Sequence, residues 1–161
     1  MLSLIPTIYV QVSPERLTVK NIKTGQLIAE VPEIALAGSP VRKILGIGDQ
    51  ARALASNAGV ELVNPFAHPR SLISDFSLGE QVLKDFLYRV QSRSWLAVSP
   101  CVILHPLGDP AGGLTQVECR AFHEMAKGAG AAKVTLWQGR NLSDQELLSG
   151  QFPPDGRVLA G

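Results

Sequence analysis

The segment best suited to bind an anion is a glycine-rich loop that leads into a helix start. The loop, residues 108–113, reads GDPAGG, and Thr115 and Glu118 then have the Thr-x-x-Glu spacing of a capping box. Free backbone amides at a helix N-terminus bind anions such as phosphate. The residues predicted to form such a weak anion site are Gly112, Gly113, Leu114 and Thr115. Because the loop lacks the Lys-Ser/Thr pair of a Walker motif, we do not expect it to bind a nucleotide.

Four side chains could bind a metal ion or act as a nucleophile. They are Cys101, His105, Cys119 and His123. Cys119 and His123 lie four residues apart, which is a possible spacing for two metal ligands on one helix. A structural zinc needs four ligands, and the sequence has no CxxC or HxxxH pattern, so we predict no metal site. Cys101 begins a strand that we expect to be buried, so we interpret it as a structural residue rather than a nucleophile.

The composition indicates one neutral globular domain. The chain has 161 residues, of which 45% are hydrophobic and 18% charged, and its formal net charge is +1. This balance excludes a disordered chain and a broad basic surface for nucleic acid, and it argues against binding to an anionic membrane. No stretch approaches the roughly 20 apolar residues of a membrane-spanning helix, and no N-terminal signal is recognisable. We therefore expect a cytoplasmic protein without a transmembrane segment.

Hydrophobic patterning predicts the element order β-β-β-α-β-α-β. The predicted strands are residues 7–12, 17–22, 27–36, 100–105 and 133–137, and the predicted main helices are residues 77–91 and 115–127. Both helices begin with a Ser/Thr-x-x-Glu capping box, at Ser77 and at Thr115. The fold class predicted from this order is α/β, with a mixed five-stranded sheet and helices on its faces. For residues 139–161 we expect a weakly ordered C-terminal tail.

Four motifs in the sequence resemble those of the family of the bacterial actin homologue MreB. They are ISDF at residues 73–76, SPCVILHPLG at 99–108, TQVECRA at 115–121 and GAGAAKV at 128–134. They occur in the family's order and near its spacing, and the resemblance extends over residues 8–137. It implies the first subdomain of the actin-like ATPase fold, a ribonuclease-H-like mixed sheet, as a single half-domain over residues 1–138.

The sequence departs from this family at the positions where a nucleotide would bind. The family opens with a strand that runs into Asp-x-Gly-Thr-Ala, whose backbone amides hold phosphate, whereas residues 9–14 here read YVQVSP. This stretch has no Asp and no Gly, and Pro14 has no amide hydrogen. The family's Glu-Glu-Pro and its second, nucleotide-binding half are replaced by Gln138 to Asn141 and a short tail. We therefore expect a protein that is not an enzyme and has no cofactor.

Glu118 matches the glutamate that this family places near the attacking water. A general base must lie within hydrogen-bond reach of the reacting group, and the phosphate site is missing here. Glu118 can instead close a capping box with Thr115, a contact that typically contributes about 1 kcal/mol. We interpret Glu118 as a helix cap, so no catalytic residue is predicted.

The resemblance implies a non-catalytic MreB-like protein, a pseudo-ATPase that acts by protein–protein binding in rod-shape determination or the bacterial cytoskeleton. Its partner would be an MreB filament or a second copy of the chain in a homodimer. Two alternatives stay open. One is a divergent enzyme or small-ligand-binding module on a ribonuclease-H-like sheet, although the strand TIYVQV supplies no carboxylate for a two-metal site. The other is a remnant without a present function.

In the family, the second half of the protein covers one side of this half-domain. In this chain that side needs another cover. The loops expected to face that side are Gln11 to Pro14, Leu107 to Gly113 and Gln138 to Asn141. The tail carries apolar residues that could form the cover, namely Leu147, Leu148, Phe152, Val158 and Leu159. We predict that the tail either folds back over the open side or pairs with a second copy in a two-fold dimer.

Overall fold

The computed structural model describes residues 5–91, 98–108 and 112–159. Within these ranges the chain forms nine strands and four helices. The strands are β1 (Thr7–Val12), β2 (Leu17–Asn21), β3 (Leu27–Glu30), β4 (Ile34–Ala37), β5 (Lys43–Ile47), β6 (Val60–Val63), β7 (Cys101–Pro106), β8 (Lys133–Gln138) and β9 (Arg157–Leu159). The helices are α1 (Asp49–Leu54), α2 (Phe76–Val90), α3 (Gln116–Gly128) and α4 (Asp144–Ser149).

The main sheet has six strands in the order β3-β2-β1-β7-β8-β9. Its centre is parallel, because β1 pairs with β7 and β7 pairs with β8 in the same direction, whereas β2, β3 and β9 are antiparallel additions. Strand β7, between β1 and β8, is buried at every residue except the half-buried Cys101, which explains its continuous apolar run. The predicted fold class, a mixed sheet with helices on its faces, is confirmed.

The main sheet has one strand more than the predicted five, because β9 adds to its edge, and one predicted strand is in fact two. Residues 27–36 divide into β3 and β4, and β4 belongs to a second, three-stranded sheet in the order β5-β4-β6. Pro32 lies at the break, where a residue without an amide hydrogen cannot continue a sheet ladder. Strands β6 and β9 were not predicted, since each has only a few residues.

Helix α2 starts two residues before the predicted Ser77 capping box. Its N-cap is Asp75, whose carboxylate accepts a hydrogen bond from the amide of Leu78 at 2.9 Å. Asp is as good an N-cap as Ser, so the earlier residue takes the position. The predicted apolar face is confirmed: Leu78 is half-buried, and the remaining members are buried, namely Val82, Leu83, Phe86, Leu87 and Val90.

Two apolar layers cover the two faces of the main sheet. The larger lies under α2 and α3 and contains the inward residues of the central strands, such as Val10 and Leu104. The smaller lies on the opposite face and consists of Tyr9, Ile22, Ile103, Trp137, Leu142 and Leu147, with Phe152 packed against it. Because side chains alternate along a strand, neighbouring residues such as Tyr9 and Val10 belong to different layers.

Residues 139–159, here called the C-terminal segment, are regular structure rather than the predicted weakly ordered tail. They form α4, capped by a Ser143–Glu146 capping box, and β9, which pairs antiparallel with β8. Leu142 and Leu147 are buried against the main sheet. The segment is therefore joined to the sheet of residues 1–138 through β9 and packs on one face of it. Whether it also covers the side predicted to be open, or whether a second copy does, stays a prediction.

Trp137 is the centre of the contact between the C-terminal segment and the sheet. Its indole is fully buried, stacks on Phe152 with ring centroids 5.3 Å apart, and donates from Nε1 to the carbonyl of Arg140 at 2.9 Å. Glycine is required on both sides of it. A Cβ on Gly139 would lie 2.6 Å from the indole, and one on Gly156 would also overlap the ring. Residues 139, 152 and 156 therefore all pack against the Trp137 indole.

Candidate functional site

The three loops predicted to face one side do converge at one edge of the main sheet. Strands β1, β7 and β8 are parallel, so their carboxyl ends meet there. Gln11 Nε2 donates to Asn141 Oδ1 at 2.9 Å, and the amide of Leu107 donates to the carbonyl of Val12 at 2.7 Å. Residues 109–111 lie outside the described residues. This edge is the place where open α/β sheets bind ligands.

A polar groove of about 570 Å³ runs along this edge. Its walls come from the loop after β7, from the end of β8 and from the C-terminal segment. The lining residues are Gly108, Gly112, Gly113, Gln138, Gly139, Pro154, Asp155, Gly156 and Arg157. Four of them belong to residues 154–157, so the C-terminal segment forms one side of the groove.

Arg157 is a residue of the groove that sequence reasoning missed. Its guanidinium donates to Gln138 Oε1 from Nε at 3.2 Å and from Nη2 at 3.0 Å. Nη2 would also lie 3.3 Å from a Cβ on Gly113, so the cation rests against that glycine. No local signal identified Arg157, since its segment was expected to be weakly ordered and the contact depends on the β8–β9 pairing.

The predicted anion site divides into residues with different roles. Gly112 and Gly113 line the groove, and both have positive φ values, of 83° and 75°. Leu114 packs against the larger apolar layer. The amide of Thr115 already donates to Glu118 Oε2 at 2.8 Å and is not available to an anion. Anion binding at the two glycines stays a prediction, now with Arg157 as the adjacent cation.

Glu118 has the geometry of a helix cap. Thr115 Oγ1 accepts from the amide of Glu118 at 3.2 Å, and the Glu118 carboxylate accepts from the amide of Thr115, which completes the box. The hydrogen bond from the Thr115 amide lowers the pKa of Glu118, helped by donors from Ser71 and Leu72. A carboxylate stabilised in this way is a weaker base, so its surroundings favour capping over proton abstraction.

Replacing Thr115 by Ala is expected to destabilise the protein by about 1 kcal/mol, because the amide of Glu118 loses its side-chain acceptor. Thr115→Ser keeps the hydroxyl and is the matched control, with a change of no more than a few tenths of a kcal/mol. Urea unfolding of the three proteins measures the difference. Equal stability of the Ala and Ser variants would show that the capping box contributes nothing.

His105 has two polar partners that the sequence did not reveal. The ring is 3% exposed, with Nδ1 2.6 Å from the Tyr9 hydroxyl and Nε2 2.9 Å from the carbonyl oxygen of Gly139. The Tyr9 hydroxyl also accepts from the amide of Leu142 at 3.3 Å. Burial lowers the pKa of His105 and raises that of Tyr9. Tyr9 and His105 are 96 residues apart, so only the β1–β7 register brings them together.

The remaining candidate metal ligands or nucleophiles lie on two elements, β7 and α3. Cys119 is buried on α3, and burial raises the pKa of its thiol, whereas Cys101 is half-buried at the start of β7. His123 is half-buried on α3. Among residues 5–91, 98–108 and 112–159, no three His, Cys, Asp or Glu side chains form a group that could hold a metal ion.

The turn after β1, which the resemblance aligns with the family's phosphate loop, is closed by its own hydrogen bonds. The amide of Ser13 donates to the carbonyl of Arg16 at 3.0 Å, and Asn64 Nδ2 donates to the carbonyl of Pro14 at 2.7 Å. Pro14 has no amide hydrogen to donate. This turn therefore connects β1 and β2 as a tight hairpin, and it offers no cluster of free amides to a phosphate.

Comparison with known proteins gives a consistent result. A family model described as MreB/Mbl protein matches residues 16–142. The chain is 34% identical over 102 residues to the cell shape-determining protein MreB of Escherichia coli, which covers 62% of this chain and 27% of that protein. It is 22% identical over 139 residues to the cell shape-determining protein Mbl of Bacillus cereus, covering 86% of this chain and 40% of that protein. The chain thus spans well under half the length of these relatives.

A shorter relative and the solved structures extend the comparison. The uncharacterized protein YjaA of Escherichia coli is 34% identical over 107 residues, and the match covers 84% of that protein. The crystal structure of MreB5 of Spiroplasma citri bound to AMPPNP superposes with a TM-score of 0.66 at 19% identity, over 84% of this chain and 39% of that one. This likeness shows the actin-like fold. In the part of the chain that the structure describes, no helix is long and apolar enough to cross a membrane.

Proposed function

The chain belongs to the MreB/Mbl family, and we propose that it acts in bacterial cell shape or the cytoskeleton by binding protein and not by hydrolysing ATP. The observation that carries the proposal is the closed turn after β1. It takes the position of a loop that must present free amides to phosphate, and it contains Pro14 and the paired amide of Ser13.

Two further features support a role without nucleotide hydrolysis. Glu118, the family glutamate, is engaged by the amide of Thr115 as a helix cap. The C-terminal segment also places residues 154–157 along the groove at the sheet edge.

The proposed partner is polymerised MreB in the bacterial cytoplasm, and a second copy of the chain is the other candidate. Relatives named as cell shape-determining proteins support this assignment. The match covers 84% of YjaA, which supports the proposal that a short form of this fold can act as a separate protein. The proposed mode of binding is that this chain, as a relative of one part of MreB, joins or caps the same assembly.

The alternative function, binding of a small ligand, is favoured by one observation. The groove brings the cation Arg157 to two glycines with positive φ, Gly112 and Gly113. Such a site would suit a small anion, because glycine allows close approach of a ligand to the backbone. It would not supply the second phosphate loop and base pocket that a nucleotide needs.

Calorimetric titration of the full chain with ATP and magnesium is expected to show no binding. Micromolar affinity requires about 8 kcal/mol, and the closed turn and single cation cannot supply it. MreB5 of Spiroplasma citri, whose structure contains AMPPNP, is the positive control. A dissociation constant below about 100 μM, or hydrolysis that Glu118→Gln removes, would overturn the proposal. A binding heat on titration with inorganic phosphate would favour the small-ligand alternative if the Arg157→Gln variant does not show it.

A further inference from the structure

The three-stranded sheet and helix α1 form one structural unit, residues 33–63, here called the small-sheet unit. Helix α1 packs on β4, β5 and β6. Arg52 of α1 pairs with Glu33 at 2.9 Å, and the Glu33 carbonyl accepts from the amide of Gly48 at 2.7 Å. Because these contacts all lie inside the unit, it can move as one body.

Two chain connections join the small-sheet unit to the rest of the fold. One consists of Val31 and Pro32, which follow β3, and the other begins at Asn64, which follows β6. Asn64 Nδ2 donates to the carbonyl of Pro14, in the turn after β1, at 2.7 Å. Hinges in proteins are usually a few residues at the ends of regular elements. These two connections are therefore the points about which the unit can turn.

The small-sheet unit packs tightly on the rest of the fold on one side only. Ile34 and Leu36 of β4 are buried in the larger apolar layer. A groove of about 530 Å³ lies between β5 and α2, where Ile44 and Ile47 face Tyr88 across open space. Close packing fixes the relative orientation of two elements, and between β5 and α2 this groove interrupts it. The angle between these two elements therefore depends on other contacts.

One ion pair bridges the small-sheet unit, α2 and the main sheet. Glu30, the last residue of β3, accepts from Arg89 of α2 with both carboxylate oxygens, at 2.7 Å and 3.2 Å. It also accepts from the amide of Asp49, at the start of α1, at 2.9 Å. The side chains of Glu30 and Arg89 are only 13% and 27% exposed, so water weakens this two-point contact little. One carboxylate thus joins three elements.

Gly48 makes room for the Glu30 carboxylate. Its φ of 71° lies in the region that favours glycine, and a Cβ on it would overlap Glu30 Oε1. Gly48 is also the N-cap of α1, and it has no side chain that could accept from the first amides of the helix. Glu30 supplies that acceptor from the main sheet. The start of α1 is therefore built around a residue outside the small-sheet unit.

We propose that Glu30 and Arg89 form a clamp that sets the angle of the small-sheet unit against α2. Release of the clamp lets the unit turn about its two connections and changes the width of the groove between β5 and α2. A partly buried ion pair can specify one arrangement without adding much to stability, so both sheets persist when it is removed. The inference concerns motion within this chain and does not depend on the proposed function.

Pulsed electron double resonance between two spin labels across the groove tests the clamp. The labels are attached to the full chain at Lys43→Cys on β5 and Gln81→Cys on α2, both exposed positions, after Cys101 and Cys119 have been replaced by Ala. This parent protein should give one narrow distance distribution. In Glu30→Ala the distribution should broaden or shift by several ångströms, while far-ultraviolet circular dichroism shows that helices and strands persist.

Glu61→Ala is the matched control for the clamp. Glu61 also pairs with an arginine, Arg42, but both residues belong to the small-sheet unit, so the distance distribution should equal that of the parent. If Glu30→Ala does not fold, Glu30→Gln decides, because it removes the charge and keeps the length of the side chain; it should give a smaller change of the same kind. A folded Glu30 variant with the parent's distribution would overturn the proposal, and so would the same change in Glu61→Ala.

Discussion

Truncation of the chain after Gly139 is expected to give a protein that aggregates and unfolds at a much lower temperature than the full chain. The deletion removes α4 and β9 and uncovers the smaller apolar layer of the main sheet. Trp137, which is fully buried, loses both Phe152 and its hydrogen-bond acceptor at Arg140. Strand β8 becomes an unprotected edge, which promotes pairing with other chains.

The size of this effect follows from the side chains that are lost. Burial of one large apolar side chain stabilises a fold by roughly 1.5–3 kcal/mol, and the deletion removes Leu142 and Leu147 from the interior together with the packed Phe152. A loss of several kcal/mol is a large part of the roughly 5–15 kcal/mol that stabilises a typical domain. Thermal midpoint and mass in solution measure the outcome. A truncated chain as stable, as soluble and of the same oligomeric state as the full chain would show that the segment covers nothing.

Two adjacent leucines of α4 provide a matched control for the truncation. Leu147 is 3% exposed and Leu148 is 62% exposed. Leu147→Ala should destabilise the protein by roughly 2–5 kcal/mol because it removes buried methyl groups, whereas Leu148→Ala should change stability by no more than about 0.5 kcal/mol. If the two variants are equally stable, Leu147 is not buried between α4 and the main sheet.

The elements with strong local patterns could be predicted from sequence. Strand β1 is found at the predicted residues because TIYVQV is rich in β-branched and aromatic side chains. Helix α3 begins where the Thr115–Glu118 capping box places it. Capping boxes are formed by residues three positions apart, so they depend little on the rest of the fold.

The features that could not be predicted depend on contacts between distant residues. The C-terminal segment contains a capping box at Ser143, but its stability comes from packing on Trp137 and the pairing of β9 with β8. The cluster of Tyr9 and His105, and the approach of Arg157 to Gly113, likewise require the sheet register. No local pattern of residue types encodes such contacts.

The Ser77 prediction shows how local signals can compete with one another. Both Asp75 and Ser77 are residue types that cap helices, and the Ser-x-x-Glu spacing favoured the second. The structure uses Asp75, which brings Phe76 and Ser77 into the first turn of α2. A capping motif therefore indicates that a helix begins nearby and locates its first residue only to within a turn.

Co-sedimentation with polymerised MreB from the organism that encodes this chain is the direct test of the proposed function. The purified full chain should appear in the MreB pellet in an amount that saturates as its concentration rises, and it should stay in the supernatant when MreB is left out. Because the chain itself is proposed to need no nucleotide, Glu118→Gln should pellet with MreB to the same extent. A full chain that stays in the supernatant at every concentration of polymerised MreB would contradict binding to the filament, and an ATP-dependent recovery lost in Glu118→Gln would contradict the proposal that the chain acts without nucleotide chemistry.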